Sequence, residues 1–193
     1  MEQKIFIVSQ CKNASSTIRT VVHTLFGGKA HSWSGQKMLS HTEIMWEGVW
    51  GIVDNHNICS DDPMPIIYQE LHEKYPDAKF ILSYRNPEDW YESFHEGFNY
   101  YWHGKYKLKQ FIYPYDLKDT EQKDNFINRY NEINKQIIQY AKKYIPKRNF
   151  LTIDIDEMRS QPDNVNWKIF SDFLEIDKNI DKPFPNRRTR NRK

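Results

Sequence analysis

Between β-branched residues and a helical run the chain reads Gln10-Cys11-Lys12-Asn13-Ala14-Ser15-Ser16-Thr17-Ile18-Arg19. A lysine just ahead of three hydroxyl side chains suits an anion. The ammonium supplies a point charge, and Ser15, Ser16 and Thr17 supply donors. A second set centres on Arg85, at the end of a strand-like run. An arginine fork matches a phosphate through two parallel hydrogen bonds. The third set is Ser60-Asp61-Asp62-Pro63, where Asp61 offers a carboxylate able to take a proton. The first two sets suit a nucleotide phosphate or sulfate. Each set also has a purely structural reading. Ser and Thr cap helices, Arg85 can pair with Glu88 or Asp89, and Asp-Asp-Pro makes a cap and turn.

The segments around these sets explain why they should meet. Lys4 to Ser9 is a short apolar run of strand type. Ser15 to Phe26 carries Ile18, Val21, Val22 and Leu25 at helical spacing, and Gly27-Gly28 stops it. Ile52 to Ser60 is a weaker strand candidate, and Pro63 to Tyr75 reads as a helix. Lys79 to Tyr84 is a clear strand. Asn86-Pro87-Glu88-Asp89 then opens a helix with a cap, a first-turn proline and dipole-matching acids. Asp124 to Tyr144, Phe150 to Ile155 and Asn164 to Leu174 read as helix, strand and helix. The stretch from His31 to Trp50 fits a short helix or a loop over a site. Such alternation predicts an α/β domain with a mostly parallel central sheet, helices on both faces and ligands at the carboxyl ends of the strands. All three polar sets fall at such ends.

Composition narrows the class. At 193 residues, 38% hydrophobic and 28% charged, the chain fits one globular domain. Net charge is +2 and names no partner, but Arg187 to Lys193 holds five basic groups. That tail can be a solvated terminus or can hold phosphates or nucleic acid, the last being the weaker reading. Two cysteines, Cys11 and Cys59, give neither a disulfide framework nor a CxxC motif. No signal peptide and no apolar run of about 18 residues is seen, so a cytoplasmic location without membrane insertion is expected. The Walker pattern GxxxxGK[ST] is absent and the first loop has no glycine, which argues against an ordinary ATPase or kinase.

Lys12-Asn13-Ala14-Ser15-Ser16-Thr17 resembles the 5′-phosphosulfate loop of sulfotransferases, which reads Pro-Lys-x-Gly-Thr-Thr or Pro-Lys-x-Ala-Ser-Ser. Cys11 stands where proline is usual. The segment Tyr75-Pro76-Asp77-Ala78-Lys79-Phe80-Ile81-Leu82, then Arg85-Asn86-Pro87 and Trp90-Tyr91-Glu92-Ser93, resembles their 3′-phosphate segment. The ending Phe150 to Asp154, Glu157-Met158 and Pro183-Phe184-Pro185 is similar to that of small members, so the likeness spans nearly the whole chain. It implies a three-layer P-loop NTPase-like fold over 1–186, followed by the basic tail 187–193. It implies binding of 3′-phosphoadenosine 5′-phosphosulfate (PAPS) as co-substrate, and no metal, because lysine and backbone dipoles supply the electrostatics. Lys12, Asn13, Ala14, Ser15, Ser16 and Thr17 would grip the 5′-phosphosulfate, and Arg85 and Ser93 the 3′-phosphate. Lys12 would also stabilise the bridging oxygen, and Asp61 stands where the family places its base. His41, Glu43 and His56 compete for that role, and Arg187, Arg188 or Arg190 could supplement the 3′-phosphate site.

The expected activity is sulfuryl transfer to a hydroxyl or amine of a small molecule or carbohydrate. Three alternatives stay open: a nucleotide-binding protein without turnover, a phosphoryl-transfer enzyme on the same fold, and nucleic-acid binding through the tail. The aromatic stretch Phe98 to Tyr115 suits the wall of an acceptor pocket. The short chain leaves a partner subunit, as in a homodimer, room to complete it.

Overall fold

The computed structural model describes residues 3–32, 42–99, 107–178 and 180–185. Five parallel strands form one sheet: β1 (Ile5–Ile7), β2 (Ala30–Ser32), β3 (Ile58–Ser60), β4 (Lys79–Tyr84) and β5 (Phe150–Asp154), in the order β2-β3-β1-β4-β5. The helices are α1 (Ser15–Phe26), α2 (Thr42–Asn55), α3 (Tyr68–Lys74), α4 (Pro87–Phe98), α5 (Lys107–Ile112), α6 (Lys123–Tyr144), α7 (Ile155–Ser160) and α8 (Asp163–Leu174).

Strand alternation divides the core in two. Ile5, Ile7, Ile58, Ile81 and Ile153 point to the face covered by α1, α7 and α8. Phe6, Val8, Cys59, Phe80 and Leu82 point to the other, under α2, α3, α4 and α6. This is the period-two pattern of strands buried on both faces. The α4–α6 side is the aromatic one. Trp90 stacks on Tyr130 with centroids 4.3 Å apart, and Phe94 meets Tyr113 edge-on at 5.0 Å.

Two boundaries differ from the sequence reading. Ile52 to Ser60 is not one strand: α2 continues to Asn55 and only Ile58–Ser60 is extended. Val49 and Val53, one helical turn apart, are both buried, so the apolar residues there follow the helical period. Regular helix after Pro63 begins only at Tyr68, after a run of turns. The structure also adds an edge strand, Ala30–Ser32.

The topology fixes where a ligand can enter. β1 and β4 are neighbours, pairing Ile5 with Lys79 and Ile7 with Ile81. The helix after β1 packs on one face of the sheet and the helix after β4 on the other. The two loops therefore part from each other at their carboxyl ends and leave a crevice, the usual ligand position of an open parallel sheet.

Candidate active site

The first wall of the crevice is the turn from β1 to α1. Lys12 and Ala14 take left-handed conformations, φ 69° and 57°, without being glycine. Backbone bent this way turns successive N–H groups toward one point and forms an anion nest. Ala14 has no side chain to cap α1, and its first turn contains no acid. The first N–H groups of α1 thus have no side-chain cap and no acid within the helix's own first turn, an arrangement that suits an anion. The Nδ2 of fully buried Asn13 has no hydrogen-bond partner among the described residues. A buried donor left open costs roughly 1–3 kcal/mol unless a ligand or water accepts from it.

The second wall is the turn from β4 to α4. Asn86 caps α4 by accepting from the N–H groups of Glu88 and Asp89, and Pro87 follows in the first turn. Arg85 is buried, with Nη2 3.6 Å from Asp89 and with Nε lacking a partner among the described residues. Half-buried Ser93 lies one turn beyond Asp89, and Gly97 one turn further. The side chain of Lys12 crosses Gly97 at the end of this row. Arg85, Ser93 and Lys12 are thus brought to one face of α4.

Several residues lock the two walls together. The Ser83 hydroxyl donates to the Asn13 carbonyl at 2.5 Å, and the Ser83 N–H donates to the Ser9 hydroxyl at 2.6 Å. The Tyr130 hydroxyl accepts from the Arg85 N–H at 3.0 Å and donates to Asn13 Oδ1 at 3.1 Å. The Trp90 indole N–H donates to the Cys11 carbonyl at 3.0 Å. Beside Arg85, a groove of about 570 Å³ runs along α6 past Asn134, Lys135 and Lys142.

Asp61 sits at the third strand end, also left-handed at φ 70°. Its Oδ1 accepts the Ser15 hydroxyl at 2.5 Å, and its Oδ2 lies 3.6 Å from Arg19. Asp62 pairs at 2.5 Å with Lys109 of α5. Burial alone would lower the pKa of this lysine. The Asp62 carboxylate more than offsets that and holds the pKa above the ordinary lysine value. Beside them, burial pushes the Cys11 thiol up to about 12, with Lys109 acting in the opposite direction. Cys11 is therefore a packed thiol and not a nucleophile.

His56 stands at the amino end of β3, across the sheet from the crevice, with Nδ1 on the Ile52 carbonyl at 2.8 Å. Glu43 lies on α2. His41, Arg187, Arg188 and Arg190 lie outside the described residues. Among the described residues no group of three or more His, Cys, Asp or Glu is placed to hold a metal ion. No described helix is long and apolar enough to cross a membrane. Tyr130, Ser83 and Lys109 organise the site without any motif of their own. The only hint of Lys109 is a lysine set among aromatic residues.

Comparison with known proteins agrees with this architecture. The sulfotransferase of Alicyclobacillus acidocaldarius superposes with a TM-score of 0.56 at 14% identity, covering 96% of this chain and 85% of its own. Mouse sulfotransferase SULT7A1, solved in complex with PAP, superposes with a TM-score of 0.54 at 18% identity, covering 93% of this chain and 61% of its own. Comparison with curated proteins gives no sequence match. The sulfotransferase domain family matches residues 4–192, and the chain belongs to that family.

Proposed function

We propose that the chain is a PAPS-dependent sulfotransferase, a P-loop NTPase-like domain over 1–186 with a basic tail at 187–193. One observation carries the proposal: an uncapped helix start with a lysine beside it follows the strand next to the one that ends in buried Arg85, whose Nε has no partner among the described residues. Two separated anion sites suit a nucleotide with phosphate groups at both its 5′ and 3′ positions. The complex of mouse SULT7A1 with PAP supports the same reading.

Lys12 and the loop from Asn13 to Thr17 would hold the 5′-phosphosulfate, with Arg85 and Ser93 on the 3′-phosphate. The acceptor oxygen or nitrogen attacks sulfur as the bond from sulfur to the bridging phosphate oxygen breaks. The electron pair stays on that oxygen, where Lys12 and the α1 dipole stabilise it. Asp61 takes the acceptor proton, and the products are PAP and a sulfated acceptor. The Ser15–Asp61 hydrogen bond couples the base to the loop that holds the donor.

Asparagine at 61 still accepts from Ser15 but is not a base. Asp61→Asn is therefore expected to lower kcat by about 10²-fold and to leave PAP affinity within about threefold. Steady-state kinetics on an acceptor found in a broad panel reads the first, and calorimetry the second. A rate within threefold of wild type removes Asp61 from the base role. Thermal shift tests the donor itself. PAP should raise the midpoint, while ATP with magnesium should not. The reverse result would favour phosphoryl transfer.

A further inference from the structure

The Lys12 ammonium lies 4.8 Å from the centroid of the Phe98 ring, and no carboxylate among the described residues lies within ion-pair distance of it. Lys109 lies at the same 4.8 Å from the same ring, but Asp62 neutralises it at 2.5 Å. One ring therefore carries two ammonium groups, of which only Lys12 keeps its charge uncancelled by a described carboxylate. The difference matters for chemistry. A carboxylate would hold a lysine in place and cancel the charge it is meant to present. An aromatic face holds an ammonium through the ring quadrupole and leaves the charge intact. Lysine gains most from such a support, because its stem has four rotatable carbons.

Gly97 makes the position possible. A Cβ on Gly97 would collide with Cε and Nζ of Lys12, which cross the helix there. The colliding atoms are the far end of a flexible side chain. An added methyl would therefore displace the ammonium and spare the fold. Gly97 and Phe98 belong to neither anion-binding segment, and they close the last turn of α4, whose preceding turn carries Ser93.

We propose that Gly97 and Phe98 form a positioning cradle that holds the Lys12 ammonium ready for the transferring sulfuryl group. The inference rests on the sulfotransferase reading above. Phe98 and Gly97 act through Lys12 and touch no reacting atom. Their effect belongs in kcat, because the sulfuryl group is absent from PAP.

The test uses the full chain, with calorimetry against PAP and kinetics with PAPS and the best acceptor of the panel. If no acceptor turns over, slow release of PAP from PAPS by water is followed instead. Phe98→Leu and Gly97→Ala are expected to lower kcat about tenfold, while PAP affinity and KM for PAPS stay within about threefold. Phe98→Tyr keeps the ring and should recover at least a third of the wild-type kcat. In a Lys12→Met background, Phe98→Leu should add less than a twofold loss. The cradle is wrong if both variants keep kcat within twofold. It is equally wrong if PAP affinity falls in step with kcat, since that pattern reports general disruption of the site. Failure of the wild-type chain to bind PAP would sink the nucleotide reading itself and the cradle with it.

Discussion

Lys12→Met is expected to lower kcat for sulfuryl transfer by about 10²- to 10³-fold, roughly 3–4 kcal/mol of lost transition-state stabilisation. Affinity for PAP should fall by less than about tenfold. The split follows from where charge appears. In the proposed ground state the 5′-phosphate would already be held by the N–H groups of the left-handed turn and the start of α1. As the bond to sulfur breaks, new negative charge collects on the bridging oxygen, and in the proposed mechanism Lys12 would be the cation beside it. Methionine keeps the length of the stem and its packing over Phe98, so the substitution removes charge with little change of shape. Equal losses in kcat and in PAP affinity would mean that Lys12 serves binding alone.

The second large effect is on stability. Trp90→Ala is expected to cost about 3–5 kcal/mol, lowering the thermal midpoint by roughly 10 °C. Trp90 is fully buried between the sheet and α6, stacked on Tyr130 at 4.3 Å and tilted against Phe94 at 4.9 Å. No neighbour can collapse into a void of that size. The same residue also reaches the site, because its indole N–H satisfies the Cys11 carbonyl next to Lys12. Trp90→Phe separates the two roles. It keeps most of the buried surface but leaves the Cys11 carbonyl without its donor, at a cost of about 1–3 kcal/mol. A thermal midpoint unchanged in Trp90→Ala would contradict the packing described for α4.

The elements that carry the site are the ones with strong local signals. α1 runs from Ser15 to the stop at Gly27, whose φ is 76°, as the helical spacing and the glycine pair indicate. β4 covers Lys79–Tyr84, and α4 opens at the Asn86 cap with Pro87 behind it. Where local signals compete, reading fails. Ala30–Ser32 is a three-residue edge strand with no β-branched residue, so nothing in its own sequence marks it. The apolar residues of Ile52 to Ser60 divide between a helix and a strand that share only a short connection.

The site divides in the same way. Lysine, arginine and hydroxyl groups near strand ends announce an anion. The residues that hold those groups in place announce nothing. Tyr130 reaches Asn13 from 117 positions away, and Lys109 reaches Asp62 from 47. Such contacts exist only once the sheet order is known, because β1, β3 and β4 bring together loops that are distant in the chain. The left-handed turn is also hidden, since Lys12, Ala14 and Asp61 adopt it without the glycine that usually marks it.

Calorimetric titration of the wild-type chain and Arg85→Ala with PAP tests the central claim most directly. The wild type should bind at micromolar concentration with one site per chain. Arg85→Ala should bind at least tenfold more weakly, a loss of about 1.4 kcal/mol or more, because the fork proposed for the 3′-phosphate is gone. No heat of binding with the wild type, or equal affinity in the two proteins, would contradict the assignment of this crevice to a 3′-phosphorylated nucleotide.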